Sequence, residues 1–276
     1  MDSFYRERFL RNIGIMNEAQ LLRIKNTRIA MGGLGLGGSV FINLVRTGFE
    51  KFHIADPDVY ERTNINRQRL AKEPTLGRRK DDSLLEEARA INPSIEVEVF
   101  REGVKQHNVA QFLNGVDWVV DVVDLFAMLD KLALNEEAHI RKIPVASCGA
   151  LGFGGAVVVF DQQGPSFAEL TGISRDNSYE ENSRRFLQFI TPEIPAYMEK
   201  QLLRALNRST HIPFVVPGVE IAAAIATTEI AKQILQLGEK VVAPYGIYFD
   251  PVNLRIQKFL ASYQARVVGA PERKAA

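Results

Sequence analysis

The sequence predicts an α/β fold: a doubly wound, mostly parallel sheet, extended toward its C-terminal end by antiparallel strands. Three observations predict it. From Arg28 onward, short apolar runs alternate with segments of helical period, and crossovers of this kind join parallel neighbours. A glycine-rich turn, GGLGLGGS at 32–39, closes the first run and opens the first helical segment. The later runs GGAVVVFD, IYFDPVN and RIQKFLASY lie beyond this alternation and read as an added antiparallel section.

The elements follow in order. TRIAMGG is a short apolar strand ending in glycines. SVFINLVRTG is a helix with Val40, Leu44 and Val45 on one side, and KFHIAD is a second strand. DDSLLEEARAINP is a helix stopped by Asn92 and Pro93, IEVEVF alternates as a half-buried strand, and DWVVDVVD is a buried strand ending in carboxylates. AMLDKLALNEEAHIRK is the next helix and IPVASCG the next strand. PSFAELTGISRDNSYEENSRRFLQFITPEIPAYM is long, polar and weakly periodic, so a lid or binding loop and a few short surface helices are equal expectations. Within it EENSRR reads as a solvated helix face, and the aromatics and prolines of PSFAEL and ITPEIPAYM as walls of a substrate channel. Residues 1–276 thus read as one domain. A helical arm (1–27) precedes a Rossmann-like nucleotide-binding part (28–160), an irregular substrate and crossover segment (161–218), a helix with strands (219–265) and a frayed tail (266–276).

Composition bounds the function. With 46 % hydrophobic residues in 276, the chain has ample material for a core. Lys+Arg 34 against Asp+Glu 33 leaves a formal net charge of +1, and no long block of one sign forms a nucleic-acid arm. The single cysteine, Cys148, excludes an intrachain disulfide and any zinc-binding CxxC pair, which makes a reducing cytoplasm the expected location. The start MDSFYRERFLRN lacks the apolar core of an export signal. VEIAAAIATTEIAKQILQL, interrupted by Glu220, Glu229 and Lys232, reads as a buried helix and no membrane span.

The glycine turn sets the chemistry. Gly33, Gly35 and Gly38 satisfy GxGxxG, with Gly37 the alternative third member, between a strand and a helix. Small residues there let backbone approach a ligand, and the helix amino terminus favours a phosphate. Asp56, at the end of the second strand, is placed to accept hydrogen bonds from a ribose. ATP and NAD share that ribose, so these residues alone leave adenylation and hydride transfer both open. TNINRQR at 63–69 decides between them. Its arginines, asparagines and glutamine, with Lys80 of LGRRKDD further on, are fixed donors suited to a polyphosphate, for which hydride transfer has no use. Asp121 and Asp124 of VVDVVD add a hard oxygen ligand for magnesium.

A glycine-rich turn, DPD, NINRQ, a lysine before a helix ending in INP, and DxxD occur in that order from about Phe4 to Phe160. The arrangement resembles the adenylating family that includes ThiF, MoeB, HesA and the ubiquitin-activating enzymes, and the helix at 219–237 resembles it more loosely. The resemblance implies ATP and Mg2+ as cofactors. It implies that Gly33, Gly35, Gly37, Asp56, Asp58, Asn64, Arg67, Gln68 and Lys80 hold the nucleotide. Asp124 would coordinate magnesium, and Arg67, Lys80 and Asp124 would serve catalysis. A carboxylate would attack the α-phosphate to give an acyl adenylate and pyrophosphate. It implies a homodimer in which an arginine of YRER, Arg6 or Arg8 with Arg8 the candidate, reaches the partner's site. The expected carboxylate is the end of a small ubiquitin-like protein or a peptide, or a small carboxylate.

Two positions depart from the family pattern: Leu34 stands at the middle glycine, and Leu125 where many members have asparagine. The crossover stretch NRSTHIPFVVPG lacks the cysteine of thioester-forming members, so the enzyme is expected to stop at the adenylate or pass it to another nucleophile. Cys148 reads as packing rather than catalysis. RTGF, HNVAQF and the missing cysteine are also similar to the bacterial tRNA threonylcarbamoyladenosine dehydratase, which brings in tRNA as an alternative partner. An NAD-dependent oxidoreductase and a non-catalytic partner subunit are the remaining alternatives. Among the histidines, His53 reads as packed in its strand and His211 as the one to test.

Overall fold

The computed structural model describes residues 2–206 and 212–265. Helices α1 (Ser3–Arg8) and α2 (Glu18–Asn26) form the amino-terminal arm. Asn17 caps α2: its side chain accepts from the Gln20 N–H while the Gln20 side chain returns to the Asn17 N–H. Then come β1 (Arg28–Gly32), α3 (Gly37–Thr47), β2 (Lys51–Ala55), α4 (Lys80–Ile91), β3 (Glu96–Phe100), α5 (Val109–Phe112), β4 (Trp118–Asp121), α6 (Met128–Ile140) and β5 (Val145–Leu151). Strand β6 (Gly154–Phe160) is followed by α7 (Phe167–Thr171), α8 (Tyr179–Ile190), α9 (Glu199–Leu206), α10 (Val216–Leu235), β7 (Tyr245–Asp250) and β8 (Arg255–Leu260).

The eight strands form one sheet in the order β3-β2-β1-β4-β5-β6-β7-β8. The pairs from β3 to β5 are parallel, and those from β5 to β8 antiparallel. The chain runs outward from β1 in both directions, to β2 and β3 on one side and to β4 and β5 on the other. That reversal leaves a crevice beyond the carboxyl ends of β1 and β4.

Side chains alternate across each strand and feed two cores. Ile29 and Met31 of β1 join Phe41 and Leu44 of α3 and Ala223 and Ile230 of α10 on one face. Ala30 of β1 and Val119 of β4 join Phe112 of α5, Leu132 of α6 and Phe189 of α8 on the other.

The segment between β6 and α10 carries helices rather than a single open loop. Ser178 caps α8 through the Glu181 N–H, and α8 then buries Phe186, Leu187, Phe189 and Ile190. EENSRR is therefore only half solvated: Asn182 and Ser183 are buried, and the Asn182 amide bonds the backbone of Ser174 at both ends. Phe167 of PSFAEL is a core residue against Phe160 and Phe189 and walls no channel. His53 is packed as expected, its Nδ1 2.7 Å from the Phe112 carbonyl. His211 and the tail 266–276 lie outside the described residues.

Candidate active site

At the carboxyl end of β1 the chain turns through Gly33, whose φ of +92° is strained for any other residue. A Cβ on Gly33 would also lie 2.4 Å from the Val122 carbonyl oxygen, so β4 approaches here because no side chain intervenes. Leu34 turns a fully buried side chain inward while its N–H donates to Asp56 Oδ2 at 2.6 Å. The leucine thus keeps the backbone donor in place and fills core. Gly37 opens α3, where a Cβ would stand 2.7 Å from Val122, and Gly38 lies against Leu84 of α4. Gly35 faces the amide of Gln68, with room for ordinary contact.

Asp56 follows β2 and is 4 % exposed. Besides Leu34 it accepts from the Asp58 N–H at 2.9 Å, and Lys80 Nζ stands 3.6 Å from its Oδ1. Burial raises the Asp56 carboxyl above its ordinary pKa, against the pull of Lys80 and the two N–H groups. Lys80, the first residue of α4, is also buried and donates to the exposed carboxylate of Asp58 at 2.7 Å.

The loop carrying NINRQR is folded by its own polar groups. Asn64 is buried, and its Oδ1 accepts the Glu61 N–H at 3.0 Å, while its carbonyl accepts the N–H groups of Arg67 and Gln68. Arg67 Nη1 donates to the Thr63 carbonyl at 2.9 Å and to Asn66 Oδ1 at 3.0 Å, with its guanidinium 5.3 Å over the Phe214 ring. Burial lowers the Arg67 pKa from its high ordinary value, opposed by the charge of Asp124. Asn66 Nδ2 donates to the Phe214 carbonyl at 2.9 Å, which ties the loop to the strand-like stretch before α10. Arg69 turns away to Glu220 of α10, at 3.7 Å.

The two carboxylates of VVDVVD have separate surroundings. Asp121 is fully buried and paired with Lys131 Nζ at 2.6 Å, and also accepts from Asn135 Nδ2 at 2.8 Å. Asp124 lies beyond the strand end, exposed, with Oδ1 accepting the Phe126 N–H at 2.9 Å.

One cavity of about 570 Å³ gathers Gly33, Gly35, Asp56, Asp58, Arg67, Gln68, Lys80 and Asp124 on its wall. Gln68 Oε1 is buried there without a hydrogen-bond partner among the described residues. Gly37, Asn64 and Asp121 stand behind the wall rather than on it. Arg8 is not on it either: Tyr5 of the same helix bonds the Gly48 carbonyl at 2.8 Å, at the far end of α3 from the glycine turn. Cys148 does reach the wall, but it is 5 % exposed and burial pushes its thiol well above the ordinary range, which suits packing and opposes nucleophilic use.

The sequence reading missed the pair Lys105–Asp130, 2.6 Å apart on the same wall. Lys105 follows β3 and Asp130 sits in the first turn of α6. The rule that ligands lie beyond strand carboxyl ends was the available signal for the lysine.

The profile of the ThiF family matches residues 9–267. The chain belongs to the ThiF family. Its relatives include the adenylyltransferase and sulfurtransferase MOCS3 of Culex quinquefasciatus, 31 % identical over 165 residues, 59 % of this chain and 37 % of that protein. The SAMP-activating enzyme E1 of Haloferax volcanii is 27 % identical over 167 residues, 60 % of each chain. The tRNA threonylcarbamoyladenosine dehydratase of Escherichia coli K12 is 32 % identical over 150 residues, 54 % of this chain and 55 % of that protein. The chain thus spans between about a third and three fifths of these relatives. Among solved structures the fold is shared with PaaA, at a TM-score of 0.73 and 19 % identity over 95 % of this chain and 84 % of that one. It is shared too with E. coli MccB solved with ATP, at 0.68 and 17 % over 95 % and 72 %. Among the described residues no helix is long and apolar enough to cross a membrane.

Proposed function

We propose that this chain is an ATP-dependent adenylyltransferase that activates a carboxylate as an acyl adenylate. One observation carries the reading: Arg67, Gln68, Lys80 and Asp124 converge with Asp56 on a single cavity beyond the parallel strands. A polyphosphate offers further acceptors to Gln68 and to Arg67 and Lys80, whose present bonds go to Thr63, Asn66 and Asp58, and a ribose supplies hydroxyls for Asp56. Gln68 Oε1, buried and without a partner among the described residues, marks a site shaped for a further polar group.

The reading gives each residue a role. Asp56 holds the ribose, with Asp58 behind Lys80. Arg67, Gln68 and Lys80 hold the phosphates, Gly33 and Gly35 keep the wall thin enough for backbone approach, and Gly37 behind them lets α3 start against Val122. Asn64 shapes the loop that presents Arg67. Asp124 is one exposed carboxylate beside phosphate-binding groups, which fits the way magnesium takes one or two carboxylates and completes its shell from phosphates and water. Bound there, magnesium would neutralise phosphate charge. A carboxylate oxygen attacks the α-phosphorus, the bond from that phosphorus to the bridging oxygen breaks, and pyrophosphate leaves with the electron pair. The carboxylate is already ionised, so positioning and charge neutralisation supply the rate.

The names of the relatives, a SAMP-activating enzyme and MccB solved with MccA, support the carboxyl end of a small protein or peptide as substrate. The buried Cys148 supports an enzyme that makes no thioester of its own. Arg8 lies far from the cavity of its own chain, so its part in the reaction would be played across a homodimer. Calorimetry of ATP with magnesium beside NAD tests the reading. ATP should bind with magnesium dependence and NAD should be silent. Arg67→Ala should weaken ATP at least tenfold, a charge-assisted contact being worth about 1.5–3 kcal/mol. Binding of NAD with ATP silent, or an unchanged affinity in Arg67→Ala, would overturn it.

A further inference from the structure

The cavity wall combines two chemistries. Asp56, Lys80, Arg67 and Asp124 form its polar end. An apolar cluster, built from Leu151, Leu187, Met198 and Leu202 with Leu125 and Ile212 against them, forms an apolar end that meets the polar one where Leu125 follows Asp124 and where Phe214, under Arg67, bridges Gly152 next to Leu151. All of the cluster residues just named but Met198 line the cavity.

Helix α8 presents this apolar side because its charges are used elsewhere. Arg185 donates to the Gly172 carbonyl and to Glu181, and Glu180 and Arg184 face solvent. The Thr191 hydroxyl lies at this end too, but it donates to the Glu193 carbonyl at 2.6 Å. Arg67, stacked over Phe214, stands where the two ends meet.

We infer that the carboxylate taken by this site carries a bulky apolar group beside its carboxyl carbon. The inference rests on the adenylate reading. A carboxyl group within bonding distance of the α-phosphorus must lie at the polar end. The group it bears then projects into the apolar end, where leucine-sized surface leaves water. A terminal glycine would leave that end unfilled. A polar side chain or a nucleobase substituent would meet no free charged group among the described residues there.

Stable acyl-adenylate analogues test this without the rest of the substrate. The full chain is titrated by calorimetry with 5′-O-sulfamoyladenosine and with its N-acetyl-leucyl, N-acetyl-glycyl and N-acetyl-aspartyl derivatives. The leucyl compound should bind at least about tenfold more tightly than the glycyl one, from the burial of one aliphatic side chain, and the aspartyl compound most weakly. Leu187→Asn should cut the leucyl advantage below threefold. Ile212→Lys, at a half-buried position that tolerates a charge, should place the aspartyl compound above the leucyl one. Equal binding of the three derivatives, or a leucyl preference intact in both variants, overturns the inference and leaves adenylation standing. Failure of the parent sulfamoyladenosine and of every derivative to bind overturns the adenylate reading, and the inference with it.

Discussion

Lys131→Met is the substitution with the largest effect that the structure lets us work out. The Lys131 side chain is 1 % exposed and its ammonium lies 2.6 Å from Asp121, itself 0 % exposed. The ammonium also stands 4.8 Å over the Phe186 ring. Methionine keeps the length and loses the charge, so the Asp121 carboxylate stays buried with Asn135, Ser147 and the Val123 N–H as its partners among the described residues. Stranding one member of a buried pair costs about 3–5 kcal/mol. Asp121→Leu strands the ammonium instead and costs about as much. The double variant strands no charge and should cost only about 1–3 kcal/mol, chiefly for the Val123 N–H and Ser147 hydroxyl that lose their acceptor, since the Asn135 amide keeps its bond to the Lys131 carbonyl. Urea unfolding followed by linear extrapolation gives the four stabilities of this cycle. A double variant that loses the sum of the two single losses, or a Lys131→Met loss under about 1 kcal/mol, would refute the argument that the pair acts as a buried unit.

The turn, Asp56 and the thiol give further predictions. Gly33→Ala forces both a left-handed backbone and a Cβ into the Val122 carbonyl, so it should cost about 2–4 kcal/mol, whereas Gly35→Ala should cost under about 1. Equal melting temperatures for the two would sink that distinction. Asp56 has a folded pKa raised above its unfolded value, so the stability linked to its proton is complete below about pH 4 and is lost as pH rises through the folded value. Asp56→Asn should therefore gain stability relative to wild type between pH 4 and 7 in thermal melts, and a flat or reversed difference would contradict it. Cys148, buried and with its thiol pKa raised, should resist a disulfide reagent at pH 8 until urea unfolds the chain, and rapid labelling of the native protein would disprove this.

Local pattern was enough for the parallel sheet because each strand is a short apolar run bounded by turn residues, as β2 is between Gly48 and Pro57. It was not enough for α5, which spans four residues and has no period to display. EENSRR misled for a different reason: Asn182 and Ser183 are buried by contacts with the Ser174 region and the core, which sequence spacing does not encode. The polar end of the cavity was legible because Asp56 and Asp124 follow strand carboxyl ends and Arg67 and Lys80 come in the connection after β2, where ligands of such sheets lie. The apolar end was not. Leu125, Leu151, Leu187, Leu202 and Ile212 share no spacing and meet only because α8 and α9 fold over the end of β5.

VVDVVD shows where residue type stops being informative. Its two aspartates are equivalent as text, yet the strand places Asp121 beside Val119 on the α6 face, where it meets Lys131, while Asp124 falls past the strand end. Asp121 also accepts the Val123 N–H at 3.2 Å, so it helps set the turn from which Asp124 projects. The two should therefore fail differently. Asp124→Asn removes an exposed carboxylate that accepts the Phe126 N–H, and an amide oxygen can still accept that bond. It should cost under about 1 kcal/mol of stability while abolishing the magnesium dependence of ATP binding. Asp121→Asn, which leaves the Lys131 charge uncompensated, should cost about 3–5 kcal/mol while keeping that dependence in whatever protein remains folded. Calorimetry and urea unfolding on both variants separate the cases. If Asp121→Asn lost the magnesium dependence at little cost in stability, the buried carboxylate and not the exposed one would be the magnesium ligand, and the assignment of the two would have to be exchanged.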